Sequence, residues 1–460
     1  MMSRCSRCKR EIEKKELPDL VALFKPWIRF PKDICENIRK RVFTPPLTFW
    51  LFLYQIISPG GSCKIALCKA LASVFVKKKM RISMNTSAYC KARIKLPMDG
   101  IRSIFSSLFQ KRKTSVKESF LWFGRTVKIV DGTTVNMPDT SQNQTAFPQT
   151  KGQKPGCGFP IARIVVFFSL NMGGILNWIM DQYAISERTM FRRLLPGLSE
   201  KDVLLGDRLF SSYCDIFFLI QKKVDIAMRC GKRMGRRILK RLGKHDHLVL
   251  WEKPPNRLPW IDVKTWKNIP ETLTLREISY RPERAGYRTE EITLVTTLLD
   301  PKMFPKKAFE ELYYKRWKAE LFLRDVKTTM GMDMLSCKTP QMVEKEILFH
   351  FIAYNLIRLV IFEAGEKMGV SWERISFKGA IDLILEFIPL MDRFSRNERK
   401  RRELTNIMLE SIASNKVPLR PYRKEPRALK KRLKRYQLLT EHRARFIEDP
   451  HRGKKRASLS

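Results

Sequence analysis

The spacing of apolar residues changes along the chain, and the changes mark out its elements. From Pro45 to about residue 98 the pattern predicts helices. The run LTFWLFLYQII, Leu47–Ile57, follows Pro45-Pro46, which suit a first helical turn, and stops at Pro59-Gly60-Gly61. A second helical pattern, SCKIALCKALASVFVKKK, has Ser62 as its N-cap. A third, SMNTSAYCKARIKLP, offers Asn85, Thr86 or Ser87 as cap and carries Tyr89, Lys91 and Arg93. Helix, turn and basic helix is a layout that reads DNA. It is equally the layout of an ordinary bundle with a charged face, and the pattern leaves both open.

From about residue 119 the rhythm is that of strands. RTVKIVDGTTV predicts a strand ending in Asp131-Gly132. ARIVVFFSLNMGGILNWIMDQY predicts a hairpin turning at Asn171 to Gly174. KDVLLGDRLFSS is a short apolar run ending in Gly206-Asp207, followed by a helix, YCDIFFLIQKK, and a strand, VDIAMRC. Residues 232–290 are more polar, with the short strands HLVLWEK and LTLREISYR; EEITLVTTLLD is another strand. A long helix then runs from Glu311 to Met332. EKEILFHFIAYNLIRLVIFEAGEK continues as a largely buried helix, and the tail beyond about residue 398 is dense in charge.

Charge changes the picture. The 460 residues include 90 Lys and Arg against 46 Asp and Glu, a formal charge of +44, while 44% are hydrophobic. A sizeable core is possible, so a folded rather than a globally disordered chain is expected. The cationic excess opposes compaction unless a polyanion neutralises it, and nucleic acid is the natural partner. A membrane surface is the alternative. No segment is expected to reach the ~20 apolar residues that span a bilayer, and the N-terminus lacks an apolar signal region, so a cytoplasmic protein is expected. Cys5 and Cys8 form a CxxC with no second pair, short of the four ligands of a zinc site. The ten cysteines are expected as reduced thiols, mostly packed inside.

Three carboxylates stand out. Asp131 and Asp207 end apolar strands, and Glu320 projects from the long helix. Acids at strand ends are costly to bury without a cation or hydrogen-bond partner. Two Mg²⁺ ions ~3.5–4 Å apart, held by such carboxylates, suit in-line displacement at phosphorus. The bland alternative for Asp131 is capping of a turn, since Asp-Gly is a common turn pair. Within ELYYKRWKAELFLRDVKTTMGM, Arg316, Glu320 and Lys327 follow Tyr313 at offsets of three, seven and fourteen. On a regular helix these fall within about 60° of one another. Either they form a solvated face with an Arg316–Glu320 pair worth roughly 0.2–0.5 kcal/mol, or a face built for a metal and a phosphate together.

The order strand–Asp, hairpin, strand–Asp, helix, strand, insertion, helix–Glu fits a ribonuclease-H-like α/β core. The pattern Y-x2-R-x3-E-x6-K at Tyr313, Arg316, Glu320 and Lys327 resembles the YREK signature of DDE-type insertion-sequence transposases, in the insertion sequence 4 family. VKIVDGTTVNMPDT and DVLLGDRLF resemble that family's two Asp segments; VKTTMGMDML, FIAYNLIR and EPRALKKR also look like family segments. The resemblance covers about residues 22–440. It implies that Asp131, Asp207 and Glu320 are catalytic and bind two Mg²⁺ ions, for which Mn²⁺ can substitute. It implies that Tyr313, Arg316 and Lys327 contact phosphates of the transposon end. None of the competing acids Asp139, Asp181 and Asp202 both ends a strong apolar strand and matches the family context.

The implied organisation is a basic N-terminal segment (1–30), a helical DNA-binding domain (31–118) and the first part of the catalytic core (119–231). A β-rich insertion (232–290), the second part of the core (291–397) and a basic C-terminal region (398–460) follow. In the resembling family the insertion helps handle the DNA end, including a hairpin intermediate. Trp251, Trp260 and Trp266 either stack on a displaced base or pack the insertion's own core. The basic pieces 232–244 and 420–435 are expected to follow DNA backbone. The implied activity is cut-and-paste transposition: cleavage at terminal inverted repeats of double-stranded DNA, then 3′-OH transfer to target DNA. A homodimer would hold both ends, in the cytoplasm at the nucleoid. The rivals are an inactive or domesticated DNA-binding repressor, and a structure-specific nuclease on the same fold.

Overall fold

In a computed structural model, the Val/Ile segment after Arg125 forms β1 (Thr126–Asn136), the strand around which the sheet is organised. The structure describes residues 17–24, 26–35, 42–75, 83–109, 121–231, 236–282, 291–395, 397–419 and 438–446. The Cys5/Cys8 pair, residues 232–235 and the cation run 420–435 lie outside the described residues.

β2 (Ile161–Ser169) and β3 (Ile175–Gln182) form the expected hairpin, and β2 pairs antiparallel with β1. Gly173, at φ +66°, makes its turn in a left-handed conformation that side chains rarely adopt. β4 (Asp202–Gly206) lies parallel to β1, and β5 (Asp225–Cys230) parallel to β4. The spatial order β3-β2-β1-β4-β5 fits the ribonuclease-H-like core.

The sheet does not stop there. β9 (Ile292–Thr296) pairs antiparallel with β5, and β8 (Thr272–Tyr280), β7 (Asp246–Glu252) and β6 (Arg236–Gly243) follow outward. The insertion is therefore β-rich, but it extends the core sheet to nine strands. Covering the outer edge of β5 removes a row of unpaired backbone groups. The new edge, β6, reads RRILKRLG and is almost wholly exposed. It had been legible only as a basic cluster; Lys and Arg on an edge also discourage pairing with other chains.

Both faces of the central strands are covered. Along β2, Ala162, Ile164, Val166 and Phe168 face one core, and Val165 and Phe167 the other. This two-sided burial explains the unbroken apolar runs in the sequence. The first core packs against the 29-residue helix Pro340–Met368. Thr339 caps it by accepting from Met342 N, Pro340 occupies its first turn, and Gly369 at φ +62° ends it. By length and composition this helix could cross a membrane, which corrects the expectation that no segment reaches that length. Its apolar stretch is 94% buried within the fold, as a core helix would be.

The N-terminal helices Pro45–Ile57, Cys63–Ala70 and Ser87–Lys95 appear where the pattern put them, with Ser62 accepting from Ile65 N, and a further helix, Met98–Ser107, follows them. They share the first core: Phe52 stacks on Phe349 of the long helix at 4.1 Å. Tyr89 (0% exposed) and Arg93 (5%) are buried. Tyr89 donates its hydroxyl to Gln55 Oε1, and the Arg93 guanidinium lies 3.9 Å over the Phe52 ring. Neither reaches the surface, so neither is available to touch DNA, whereas Lys91 on the same helix is exposed.

The three tryptophans separate. Trp251 is 1% exposed and donates Nε1–H to Glu277 at 2.7 Å, which rules it out as a platform for a displaced base. It packs a core shared with β4 and β5 rather than one of the insertion's own. Trp266 is half-buried under Lys253. Trp260 is 40% exposed, with the Arg192 guanidinium 3.6 Å from its ring.

Candidate active site

In the β1/β4 pair, Ile129 stands opposite Leu205, and β4 ends one residue later at Gly206. The same register carried onward sets Asp131 beside Asp207. Asp207 follows its strand as expected, and Asp131 does not: β1 runs on to Asn136, still paired with β2. Asp131 is a mid-strand residue where β4 ceases to cover that edge. The antiparallel neighbour keeps the strand going while the parallel neighbour stops. Asp131 Oδ1 accepts from Gly132 N, and Asp207 Oδ1 accepts from Leu209 N, each at 2.8 Å.

The segment carrying Glu320 is not one regular helix. It is α-helical over Lys306–Tyr314, tightens to a 3-10 turn over Lys315–Trp317, returns to α over Lys318–Arg324 and widens to a π turn over Asp325–Thr329. The uniform 100° step therefore fails. A 3-10 turn overwinds and a π turn underwinds, so the two deviations oppose each other. Tyr313, Arg316, Glu320 and Lys327 all line one open cleft of about 1300 Å³, together with Asp131 and Asp207. All six residues expected at the site meet there.

Their settings differ. Tyr313 is buried at the floor, its hydroxyl 3.4 Å from the carbonyl oxygen of Gly206, and burial pushes its pKa up to about 12. Arg316 reaches Glu320 Oε1 at 3.5 Å, a loose pair with the glutamate side chain 44% exposed. Burial works to lower the Arg316 pKa, but Tyr313, Asp131, Glu320 and Asp207 outweigh it and hold the guanidinium charged. Lys327 donates to Thr133 Oγ1 at 2.9 Å. Burial raises the Asp131 carboxyl to about 6; Asp207 and Glu320 push the same way, against the Gly132 N–H and Arg316.

The cleft also holds Arg188, Arg208, Arg229 and Arg324, which the sequence reading passed over. Arg229 carried a signal, as a cation inside the apolar strand DIAMRC. Arg208 carried one too, as the neighbour of Asp207 in DVLLGDRLF, whereas Arg188 carried none, since only topology brings its helix to the cleft. Glu187, missed as well, packs its carboxyl so closely over Gly132 that a Cβ there would force the glutamate side chain to shift. The competing acids are engaged elsewhere: Asp139 with Arg443, Asp181 with Arg193, and Asp202 with Lys128.

Asp131, Asp207 and Glu320 present hard carboxylate oxygens, the donor type that suits Mg²⁺ or Mn²⁺. Burial chiefly, and Asp207 and Glu320 to a smaller degree, disfavour the charged form of Asp131, which a cation among the three would favour. The donor set fits a divalent ion. Among the described residues no three His, Cys, Asp or Glu side chains already form a closed cage.

Residues 122–356 match the family model of the transposase DDE domain, and the chain belongs to that family. Its branch is indicated by a curated relative, the transposase InsG for insertion sequence element IS4 of Escherichia coli (strain K12). That protein is 26% identical over 356 residues, spanning 76% of this chain and 77% of its own length. The protein is a DDE transposase of the insertion sequence 4 type. Among solved structures, a piggyBac transposase synaptic complex with hairpin DNA aligns over 89% of this chain and 87% of that one, at 9% identity and a TM-score of 0.41.

Proposed function

We propose that this DNA transposase works by cut and paste, with Asp131, Asp207 and Glu320 as its catalytic, metal-holding triad. The observation that carries the reading is the meeting of three acids from three separate elements in one cleft with Tyr313, Arg316 and Lys327. Two Mg²⁺ ions held by the triad, or Mn²⁺ in their place, would activate the attacking oxygen and neutralise charge on the leaving oxygen. Arg316 offers a planar fork and Lys327 a point charge to the non-bridging oxygens of the scissile phosphate. Arg188, Arg208 and Arg229 extend that grip along the strand. Tyr313, anchored at the cleft floor, orients Arg316 from beneath and has little surface left for DNA.

Hydrolysis at each terminal inverted repeat frees a 3′-OH. That hydroxyl then attacks a phosphodiester of target DNA, one ester bond replacing another, so no ATP is consumed. A homodimer holds the two ends, and the work is done at the nucleoid in the cytoplasm. The N-terminal helical region and the basic C-terminal region supply further DNA contacts, with Trp260 as the insertion's candidate stacking surface.

The test compares the purified chain with Glu320→Ala on DNA carrying the element's own ends, in Mg²⁺. Wild type is expected to cut and join, and the variant to bind without cutting. Binding by both with cutting by neither, even in Mn²⁺, supports the repressor reading. Cutting without joining supports the nuclease.

A further inference from the structure

Away from the cleft, the N-terminal helices bring two cysteines and an arginine together. Cys63 opens the helix Cys63–Ala70, and Cys90 lies in Ser87–Lys95. Their Sγ atoms are 3.8 Å apart, with Cys90 donating to Cys63. Arg93 Nη1 donates to Cys63 Sγ at 3.1 Å, and Arg93 Nη2 to Cys337 Sγ at 3.3 Å. Gln55 Nε2 approaches Cys63 Sγ at 3.8 Å from a third side. Cys63 and Cys90 are both half-buried, open to a small reagent, whereas Cys337 is buried.

The two thiols are differentiated. The Cys90 hydrogen bond is the largest influence on Cys63 and, with Arg93 and Gln55, lowers its pKa to about 6 against the effect of burial. The same hydrogen bond, seen from Cys90, pushes that thiol up, and burial adds to it. One sulfur is a thiolate at neutral pH and its neighbour keeps a proton. An attacking thiolate beside a resolving thiol is the arrangement a redox-responsive pair requires.

We propose that Cys63 and Cys90 form a redox-active dithiol, which an oxidant of the peroxide class converts to a disulfide. The Cys63 thiolate attacks one peroxide oxygen, the O–O bond breaks and Cys63 becomes a sulfenic acid. Cys90 then attacks that sulfur, its proton leaves with the hydroxyl, and water departs as the S–S bond forms. Two thiols lose two electrons in all, and hydrogen peroxide is reduced to two waters. The sulfurs close from 3.8 Å to the ~2.05 Å of a disulfide.

The product staples two N-terminal helices and removes the thiolate that Arg93 faces. Arg93 is a link between those helices and the core. Its other partner, Cys337, has its backbone N–H held by Glu346 on the long core helix. The oxidation therefore acts at the junction of the helical layer with the catalytic core.

The experiment uses the full chain, reduced and freed of reductant, then treated with limited hydrogen peroxide at pH 7. Free thiols are alkylated, and peptides are mapped by mass spectrometry without reduction. The expected map holds a Cys63–Cys90 linked peptide, with two alkylatable thiols lost per chain and regained in dithiothreitol. Cys63 should react roughly tenfold faster than the exposed Cys68, because the thiolate is the reacting form. In Cys90→Ser, Cys63 should be trapped by dimedone as its sulfenic acid. Oxidation of Cys68 ahead of the pair, persistence of Cys63 and Cys90 as free thiols, or no dimedone adduct in Cys90→Ser would overturn the proposal. The wild-type map needs no substitution, so misfolding of a variant cannot mask the result.

Discussion

Lys327 donates from its ammonium to Thr133 Oγ1 at 2.9 Å, tying the π turn after Glu320 to the stretch of β1 just beyond Asp131. The last cation of the signature is held on the strand that carries the first acid. A hydrogen bond from a charged donor contributes about 1.5–3 kcal/mol. If Lys327 serves a phosphate in the same way, Lys327→Ala should lower cleavage of the element's ends roughly 10- to 150-fold. Thr133→Val keeps the charge and should cost less than about fivefold, in line with a neutral partner's weaker bond. Equal losses in the two variants would mean that the tie is architectural and Lys327 does not serve the phosphate.

The π turn is also braced from behind. Arg358 on the long helix donates to Asp325 Oδ2 at 2.6 Å and to the Tyr354 hydroxyl at 3.0 Å, and both charged side chains are buried. Removing one partner of such a pair leaves the other charge uncompensated, at about 3–5 kcal/mol. Arg358→Ala should lose that much in urea-induced unfolding. A loss below about 1 kcal/mol would show that Asp325 finds water instead, as exposed pairs do.

Much of this was legible in the sequence, for physical reasons that differ by element. The strands of the central sheet announce themselves because both faces are buried and the chain stays apolar for several residues. The hairpin turn was visible in Asn171 to Gly174 because a left-handed position needs glycine. Asp131 was misplaced by part of a strand because sequence marks where apolar residues stop, not where a partner strand ends. The regular helix around Glu320 was an extrapolation of propensity, which does not distinguish α from 3-10 or π winding. Arg93 belongs to a helix that reads as basic-faced, because a cation is usually exposed, yet it and Tyr89 are buried. Their burial depends on Phe52, Gln55 and Cys337, brought in from distant segments. The arrival of Arg188 in the cleft likewise follows from topology alone.

Asn355 closes the edge of the sheet from a helix. Its Oδ1 accepts from Ile175 N and its Nδ2 donates to Ile175 O, both at 2.8 Å and fully buried. Asn355→Leu keeps the approximate volume but strands two buried backbone groups, each worth about 1–3 kcal/mol. The variant should unfold roughly 2–5 kcal/mol more easily, with hydrogen exchange fastest at the start of β3. Unchanged protection at Ile175 would mean that the strand end holds without its side-chain partner.

Asp131 offers a test that reads the site without any DNA. Burial, with help from Asp207 and Glu320, lifts its carboxyl from 3.8 to about 6. The folded protein then binds the proton more tightly than the unfolded chain does, so stability falls as pH rises from about 4 to 6. Above that window the whole penalty is present, about two pH units' worth or ~3 kcal/mol. In metal-free buffer at pH 8, Asp131→Asn should therefore be more stable than wild type by up to about 3 kcal/mol, and its stability should lack that slope. Mg²⁺ should reverse the ranking by stabilising wild type alone, by about 4.1 kcal/mol at a thousand times its dissociation constant. Thermal unfolding across pH 4–8, with EDTA and then with Mg²⁺, reads both effects. If Asp131→Asn were the less stable protein at pH 8 in EDTA, the carboxylate would be satisfied by the fold itself, and the case for a cation at Asp131 would fail with it.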